Sequence, residues 1–404
     1  MQLEKTSDEQ HSTPSGLSES RRGTVLQVLP NLNGGGVERG TIEMALALQA
    51  EGWTPIVVSN GGSMVYELDR IGAKHIKLPV HSKNPLVIHK NVKRLQQIIT
   101  ENNVDIVHAR SRAPAWSAMA AARLTGRDFV TTFHAAYTRG GVLKNWYNSV
   151  MARGDKVIAI SDFIASHIAE NYQVPEDQIV TIPRGVECRK FNPGAVSAER
   201  IIKMATDWAL PDGVPVVMLP GRLTRLKGHV TLIEALAKID GGNFLALFVG
   251  AGAGREAYRA ELNNLVISKN LQGKVQIKDY CSDMPAALML ADVVVSASTV
   301  PEGFGRVSVE AQAMGRPVIA TAHGGSLETV VDGHTGWLVP VNDADAMAAA
   351  VKVALGMTGT AREKIAARTR QHVVDNFTVE KMCNATMDVY RSFLKPSEPP
   401  AGDQ

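Results

Sequence analysis

The sequence predicts an α/β protein of two doubly wound domains that face each other across a cleft, followed by a long C-terminal helix. Three observations support this prediction. Short apolar runs alternate with helical patterns along almost the whole chain. The alternation forms two series of similar size, separated at residues 191–214 by a polar segment containing proline and glycine. The chain, at 404 residues, is long enough for two domains of about 150–200 residues each.

The first series contains seven strand candidates, which we assign to a domain spanning residues 23–205. These strands are predicted at Val25–Leu29, Pro55–Ser59, His75–Leu78, Ile106–His108, Phe129–Phe133, Lys156–Ile160 and Ile179–Ile182. Helices are predicted between them at Val37–Ala50, Asn91–Glu101, Ala113–Leu124 and Asp162–Glu170. Residues 1–22 are polar and have no apolar segment of the kind found in secretory signals, so they are predicted to form a disordered tail.

The second series contains six strand candidates, which we assign to a domain spanning residues 212–375. They are predicted at Pro215–Leu219, Leu245–Gly250, Val275–Lys278, Val293–Ser296, Pro317–Ala320 and Trp337–Val339. A final helix, Val379–Phe393, is long enough for residues 376–394 to pack back on the first domain. In open parallel sheets ligands bind beyond the carboxyl ends of the strands, so the cleft is the expected site.

Composition limits the functional classes. No apolar run approaches the ~18–20 residues that a membrane span needs. Three cysteines, far apart in sequence, match no metal or redox spacing, and a cytoplasmic location is the simplest expectation. The net charge is +3, yet residues 23–203 carry 21 Lys and Arg against 15 Asp and Glu. This excess suits an anionic acceptor or a membrane surface, although an ordinary basic surface would look the same; we expect no nucleic-acid partner.

Two glutamates eight positions apart form the most informative motif. Glu302 precedes the turn Gly303-Phe304-Gly305, and Glu310 lies about two turns along the helix that follows. Backbone N–H groups at a helix N-terminus attract phosphate, while carboxylates accept hydrogen bonds from hydroxyls. One site of this kind would suit a sugar nucleotide, which carries both groups.

Two further loops carry motifs, and one of them follows the first strand of each domain. Gly34, Gly35 and Gly36 open the first helix, where the backbone can approach a phosphate or sugar. Gly221, Arg222 and Lys227 belong to a basic loop whose two cations can converge on a diphosphate. A tight turn and a solvated basic surface are the structural alternatives.

Weaker signals include a third glycine-rich turn at residues 250–254, which a nucleotide-binding dehydrogenase also shows. His134, Arg110 and Arg112 follow neighbouring strands and are expected at the cleft edge. The two arginines suit an anionic acceptor, with surface or interface pairing as the alternative. Asp343 and Asp345 have the spacing of a metal-binding motif, but they begin an alanine-rich helix, where acidic residues cap the helix.

The motifs together resemble those of the family 4 glycosyltransferases, retaining enzymes of GT-B fold with two Rossmann-like domains. The carboxylate pair matches the family's E-x7-E element, Gly221, Arg222 and Lys227 match its G-R…K element, and residues 34–36 match its glycine loop. Arg184 stands where the family commonly has asparagine. The segment from His108 to Pro114 is similar to bacterial enzymes of lipopolysaccharide and envelope-polysaccharide assembly.

The resemblance implies a role for each matched residue. Arg222 and Lys227 would neutralise the donor diphosphate in place of a metal, Glu302 would accept from the sugar hydroxyls, and His134 would face the sugar. Glu310 would accept from the ribose. The remaining implied donor contacts are Gly34, Gly35, Gly36, Gly221, Gly303, Phe304, Gly305, Val307, Asp279 and Tyr280, while Arg110 and Arg112 would contact the acceptor.

The expected function is therefore metal-independent, cofactor-free transfer of a hexose from a UDP- or GDP-sugar to a lipopolysaccharide-core or other envelope glycan. Peripheral contact at the cytoplasmic face of the inner membrane is a further hypothesis. Two alternatives remain. An NAD-dependent oxidoreductase would use a glycine-rich turn, but no acidic residue follows the first turn at the distance that a ribose contact needs. A catalytically silent nucleotide-sugar-binding partner would carry the same motifs.

Overall fold

The computed structural model describes residues 22–138, 140–239, 241–250, 252 and 254–394. Within this part of the chain, two parallel sheets are each flanked by helices, which confirms the predicted fold class. Every predicted strand is present, with ends shifted by at most one residue. The tail predicted at residues 1–22 lies outside the described residues except for Arg22.

The first sheet has seven parallel strands in the order β3-β2-β1-β4-β5-β6-β7. The strands are β1 Thr24–Val28, β2 Thr54–Ser59, β3 Lys74–Lys77, β4 Ile106–Ala109, β5 Asp128–Phe133, β6 Lys156–Ala159 and β7 Ile179–Thr181. Its central strands are buried because helices cover both faces, which is why they read as nearly continuous apolar runs. The strand order reverses beside β1: β2 and β3 lie on one side of it, and β4 to β7 lie on the other. Ligands bind in the crevice that such a reversal creates.

Six helices accompany the first sheet: α1 Gly36–Ala50, α2 Val65–Arg70, α3 Pro85–Glu101, α4 Arg112–Thr125, α5 Val142–Ser149 and α6 Asp162–Tyr172. Helix α3 begins six residues before its predicted start. Its N-cap is Asn84, whose side chain accepts a hydrogen bond from Leu86 N, and Pro85 occupies the first helical position. Both are standard start signals that the apolar periodicity alone did not reveal.

The second sheet has six parallel strands in the order β10-β9-β8-β11-β12-β13. The strands are β8 Val216–Pro220, β9 Leu245–Val249, β10 Val275–Lys278, β11 Val293–Ser296, β12 Val318–Thr321 and β13 Gly336–Val339. Its helices are α8 His229–Leu236, α9 Glu256–Ser268, α10 Met284–Leu290, α11 Arg306–Ala313, α12 Ser326–Thr329, α13 Ala344–Leu355 and α14 Gly359–Asn376.

The segment between the two sheets is more ordered than its polar composition indicates. It contains helix α7, Ala198–Asp207, which packs against α10 of the second domain. Arg200 forms an ion pair with Asp283 across this contact, with Nη2 2.7 Å from Oδ1. The sequence-based limits of 205 and 212 assign α7 to the first domain, whereas its contacts lie on the second.

The last helix, α15 Val379–Arg391, returns to the first domain and packs on α1. Tyr390 is fully buried, and its hydroxyl lies 2.6 Å from His108 Nδ1. The other ring nitrogen of His108 lies 2.7 Å from Thr132 Oγ1. Burial, and to a lesser degree the charge of Arg110, hold the pKa of His108 well below its usual value, so the ring is neutral and bonds at both nitrogens.

None of the helices in the described part of the chain has the length and apolar character that a bilayer crossing requires.

Replacing Tyr390 by Phe tests how strongly α15 is fixed to the first domain. The substitution leaves a buried nitrogen of His108 without its partner, so we expect a loss of about 1–3 kcal/mol in the free energy of unfolding, measured by urea denaturation. Tyr66 is 58% exposed, and Tyr66→Phe is the matched control, expected within about 0.5 kcal/mol of the parent. Equal stability of both variants would contradict this role.

Candidate active site

The carboxyl ends of the two sheets face each other across a cleft of about 710 Å³. Residues from both domains line it. The sequence-predicted site residues among its walls are Gly34, Gly35 and Gly36 from the first domain and Tyr280, Val307 and Glu310 from the second. The cleft therefore brings together the glycine loop after β1 and the helix α11 that follows β11, which are far apart in sequence.

Glu302 is held by one cation and one hydroxyl, which come from two loops. Its Oε1 lies 2.6 Å from Lys227 Nζ and also accepts a hydrogen bond from Ser298 Oγ. Burial acts to raise the pKa of Glu302, but the charge and hydrogen bond of Lys227 and the hydroxyl of Ser298 outweigh it and lower the pKa below its usual value. Glu302 is thus a fixed carboxylate at neutral pH, suited to accept hydrogen bonds.

The turn after Glu302 offers unused backbone donors. The N–H groups of Gly303, Phe304 and Gly305 have no hydrogen-bond acceptor within the described residues. Gly305 has a φ of +88°, which a residue with a side chain rarely adopts, and it directly precedes α11. The Phe304 ring is 4% exposed and packs edge-on against Phe377, so it anchors the turn while its N–H remains available.

Glu310 is paired within its own helix. Its Oε1 lies 2.7 Å from Arg306 Nη2, one helical turn earlier. Burial raises the pKa of Glu310, and Arg306 opposes that rise without cancelling it. Arg306 also reaches the opposite wall of the cleft, because a Cβ added to Gly36 would lie 3.2 Å from its Nη1. The side chain of Arg306 therefore stands between the predicted ribose carboxylate and the glycine loop.

The basic loop after β8 contains one arginine whose side chain is paired and one whose side chain has no partner among the described residues. Arg225 forms an ion pair with Glu261 and lies over the Tyr258 ring. Arg222 is exposed, and no hydrogen bond or ion pair holds its side chain among the described residues. The loop thus presents Arg222 to solvent, where its guanidinium group is accessible to an anionic ligand.

The loop after β10 is more open than the rest of the site. The Asp279 carboxylate accepts a hydrogen bond from Arg259 Nη2, and its side chain is 73% exposed. Tyr280 is 78% exposed and lies at the rim of the cleft. Neither side chain is buried enough to select a ligand by its shape. This loop therefore forms an open surface and not an enclosed pocket.

Behind the glycine loop lies a cluster of buried charges. Arg110 and Arg184 are each 4% exposed, and burial lowers the pKa of both, that of Arg184 to about 9. Glu43 faces the same cluster, and burial raises its pKa. Arg184 Nη2 donates to Gly36 O at 2.6 Å and so supports the glycine loop from below. Both arginines line a cavity of about 20 Å³, enough for one water-sized species.

The two arginines predicted to meet an acceptor are separated in the structure. Arg110 lies in the interior, whereas Arg112 lies at the start of α4, with Nη1 2.6 Å from Asn148 Oδ1 and the guanidinium 4.2 Å from the centre of the Tyr137 ring. Arg112 is therefore half-buried and already paired within the first domain. An acceptor contact of either residue stays a prediction.

His134 follows β5 at the cleft edge. Its Nε2 is buried and has no partner within the described residues. Burial, followed by the charges of Arg184 and Arg110, holds the pKa of His134 well below its usual value, so the ring is neutral. A neutral imidazole with a free nitrogen can form a hydrogen bond with a ligand but carries no charge to the site.

The structure offers no support for a metal-binding role of Asp343 and Asp345. Asp343 Oδ1 accepts from Ala346 N at 2.8 Å and caps α13, and Asp345 pairs with Lys238. Within the described residues, no group of three or more His, Cys, Asp or Glu side chains is arranged to hold a metal ion.

Sequence analysis assigned no role in this site to four of its contributors, which are Ser298, Arg306, Arg184 and Ser161. Ser298 and Arg306 lie within four residues of a motif glutamate, a spacing that signals contact on a turn or a helix face. Arg184 and Ser161 carry no comparable local signal, because their partners lie 148 and 142 residues away.

Comparisons with known proteins agree with this geometry. Residues 34–190 match the family model described as Glycosyltransferase Family 4, and residues 201–372 match that described as Glycosyl transferases group 1. A crystal structure of a glycosyltransferase from Rickettsia africae is 41% identical, covers 93% of this chain and 100% of its own, and superposes with a TM-score of 0.87.

Two more distant relatives extend the comparison. The phosphatidyl-myo-inositol mannosyltransferase of Mycolicibacterium smegmatis is 28% identical over 78% of this chain and 80% of that protein. The Anabaena protein HepE, solved in complex with UDP-glucose, is 21% identical over 92% of this chain and 100% of its own, with a TM-score of 0.79, and shares the fold. Alignments with curated relatives span between 55% and 99% of those proteins.

Replacing Lys227 by Met removes the cation beside Glu302 while keeping the apolar stem. The carboxylate then stays partly buried without its charge partner, so we expect a loss of about 2 kcal/mol in the free energy of unfolding at pH 7. The lowered pKa of Glu302 stabilises the fold above about pH 4.5, and that contribution disappears as acid protonates the carboxylate. Urea titrations should therefore show a smaller loss at pH 4 than at pH 7.

The matched control is Lys203→Met. Lys203 pairs with Asp207 on the surface, where the two side chains are 75% and 55% exposed, so its loss should cost less than about 0.5 kcal/mol at either pH. If Lys227→Met were as harmless as the control at pH 7, the Lys227–Glu302 contact would not be a stabilising ion pair.

Proposed function

The chain belongs to the family 4 glycosyltransferases, and from this premise we propose that it is a retaining enzyme that moves a hexose from a UDP- or GDP-sugar to an envelope glycan acceptor without a metal. The observation that carries the proposal is the Glu302 carboxylate held by Lys227 and followed by three backbone N–H groups, with the exposed Arg222 on the same loop as Lys227. Neither the Arg222 side chain nor these N–H groups have a hydrogen-bond partner among the described residues. One carboxylate and several anion-binding groups at one turn match a sugar joined to a diphosphate.

Each part of the donor has a complementary partner in the proposal. Arg222 and Lys227 neutralise the diphosphate together with the N–H groups at the start of α11, Glu302 accepts from sugar hydroxyls, and Glu310 accepts from the ribose. The base rests near Asp279 and Tyr280, a loop too open for strict selection. The structure of HepE with UDP-glucose supports a nucleotide-sugar donor for this fold.

Donor binding changes the partners of both carboxylates. In the structure Lys227 pairs with Glu302 and Arg306 pairs with Glu310. A diphosphate next to Lys227 draws that cation into a shared contact, and a ribose hydroxyl next to Glu310 joins Arg306 on the same carboxylate. The resident cations therefore prevent the two carboxylates from repelling an anionic ligand before it docks.

The chemistry follows from charge. When the anomeric C–O bond breaks, negative charge grows on the departing diphosphate, and Arg222, Lys227 and the N–H groups stabilise it. Positive charge grows on the sugar ring near Glu302. The acceptor oxygen attacks from the same face as the leaving group and passes its proton to the leaving phosphate, so no protein nucleophile is required. His134, being neutral, contributes a hydrogen bond to the sugar.

The acceptor side is assigned to the first domain. Arg112 begins α4 of that domain and donates to Asn148 of α5. Helix α5 carries an apolar surface formed by Val142, Leu143 and Trp146, which are 86%, 83% and 54% exposed. Trp146 stacks on Trp116 of α4, so this surface is fixed to the domain. The combination suits a glycolipid acceptor at the cytoplasmic face of the inner membrane, such as a lipopolysaccharide core, and the similarity to a phosphatidyl-myo-inositol mannosyltransferase supports a lipid-linked acceptor.

A donor screen tests the proposal directly. We expect release of nucleoside diphosphate from one or a few nucleotide sugars, unchanged by EDTA, whereas NAD(H) should not shift the melting temperature. Arg222→Ala or Lys227→Ala should lower kcat/KM by about 100-fold or more, because each removes a cation that stabilises the developing phosphate charge.

Arg225→Ala is the control for the basic loop, because Arg225 lies in the same turn but is already paired with Glu261. Its kcat/KM should stay within about threefold of the parent, as expected for a surface pair. Full activity of Arg222→Ala and Lys227→Ala, or a requirement for a divalent cation, would overturn the proposal.

Membrane contact through α5 makes a separate prediction. Flotation with vesicles of phosphatidylethanolamine and phosphatidylglycerol should recover the parent protein, and the Val142→Ser/Leu143→Ser variant should lose most of that binding because each serine removes apolar area that enters the bilayer interface. Ile202→Ser on the second domain, at a residue 65% exposed, is the control and should float like the parent. Absence of parent protein from the vesicle fraction would remove the membrane from the proposal.

A further inference from the structure

A carboxylate of the second domain binds the start of a helix in the first. Glu328 lies in α12, and its two oxygens accept hydrogen bonds from the backbone N–H groups of Asp162 and Phe163 at 2.8 Å each. These N–H groups belong to the first turn of α6, where helical N–H groups lack partners and the helix dipole favours negative charge. One side chain thus fastens the second domain to a helix end of the first.

Ser161 makes a second link at the same place. Its Oγ accepts from Ile164 N at 3.1 Å, as the N-cap of α6, and donates to Gly303 O at 2.6 Å. The Gly303 carbonyl and the Phe304 N–H belong to one planar trans peptide and point in opposite directions. By holding the carbonyl, Ser161 fixes the direction of the Phe304 N–H, one of the free donors of the turn after Glu302.

The two links belong to one rigid block of the second domain. Gly325 N donates to Glu302 O at 2.9 Å, immediately before α12 begins. A Cβ added to Gly325 would lie 2.5 Å from Phe304 Cα, so the two turns are in direct backbone contact. Movement of Glu328 relative to α6 is therefore transmitted to the turn that carries Glu302.

The first domain also approaches this turn sterically. A Cβ added to Gly303 would lie 3.0 Å from His134 O and 3.3 Å from Ile160 Cδ1, both in the first domain. The backbone of Gly303 is outside the positive-φ region, so its lack of a side chain serves this close approach. Separation of the domains would remove the steric contact, the Ser161 hydrogen bond and the Glu328 contact together.

We propose that Ser161 and Glu328 are positioning residues that complete the donor site only when the two domains are closed. Glu328 holds α6 against the second domain, and Ser161 then sets the Gly303–Phe304 peptide in the orientation that stabilises the leaving diphosphate. The inference rests on the proposed function. It predicts that transfer requires closure, and that loosening the contact lets water compete with the acceptor.

The competing reaction is donor hydrolysis. Water attacks the anomeric carbon, the bond between that carbon and the diphosphate oxygen breaks, and the proton lost by water is taken up by the diphosphate or the solvent. The products are the free sugar and the nucleoside diphosphate. A closed cleft suppresses this reaction by excluding water, so the ratio of hydrolysis to transfer reports on closure.

Four variants separate positioning from helix capping. Glu328→Ala removes the clasp, by which we mean the two hydrogen bonds from the start of α6 to the Glu328 carboxylate. Ser161→Ala removes both the cap of α6 and the hydrogen bond to Gly303. Ser161→Asp keeps an oxygen that caps α6 but lacks the proton needed by the Gly303 carbonyl, while Ser161→Thr keeps both functions. Controls are Glu363→Ala and Ser268→Ala, at exposed sites of the second domain away from the interface.

The expected result is a rise of about tenfold or more in the ratio of free sugar to transfer product for Glu328→Ala, Ser161→Ala and Ser161→Asp, with the loss in kcat larger than the change in KM. Ser161→Thr and both controls should match the parent. If Ser161→Asp partitions like the parent while remaining folded, Ser161 is only a helix cap and the proposal is overturned.

Small-angle scattering gives a readout that does not depend on turnover. With UDP or GDP present, Glu328→Ala should have a larger radius of gyration than the parent and than Glu363→Ala. Equal radii would overturn the clasp even if the enzyme is active. If the parent transfers no sugar from any donor while Glu328→Ala still has the larger radius, the proposed function is wrong and the clasp is retained.

Discussion

The site depends on one constraint: all strands within each sheet are parallel. Each strand of a parallel sheet must be followed by a crossover, so every loop that leaves a strand's carboxyl end emerges at the same edge. The glycine loop, His134 and Ser161 share such an edge in the first domain. The basic loop and the turn after Glu302 share one in the second. The two edges face each other, and the walls of the cleft between them come from segments more than a hundred residues apart.

Each of the two glutamate carboxylates of this site is paired with a cation from the protein itself. Lys227 neutralises Glu302, and Arg306 neutralises Glu310, while Arg222 alone stands exposed and unpaired among the described residues of the basic loop. The arrangement lowers the cost of partly burying the two carboxylates. In the proposed function it also lets a site built around glutamates receive an anionic nucleotide sugar, since the groups assigned to the diphosphate are the cations and the backbone N–H groups.

A second level of support lies behind the first domain's edge. Arg184 holds the carbonyl of Gly36 and so fixes the glycine loop, while Tyr390 of the returning helix α15 fixes His108 and, through it, Thr132 of β5. His134 follows the same strand. The C-terminal helix therefore stabilises the strand whose end faces the cleft, and it does so through buried hydrogen bonds that would be costly to leave unmade.

The sequence by itself determined the strands, the order of the two domains and the motif residues, because apolar periodicity, glycine turns and short-range spacing are local properties. The eight-residue interval between Glu302 and Glu310 is one such property. The tertiary structure alone decided that α7 joins the second domain and that Arg110 is buried whereas Arg112 is half-buried. It also decided that Ser161 and Glu328 each form hydrogen bonds between the two domains. These facts depend on contacts between residues far apart in the chain, and such contacts are set by how the sheets and helices pack, which no local pattern encodes.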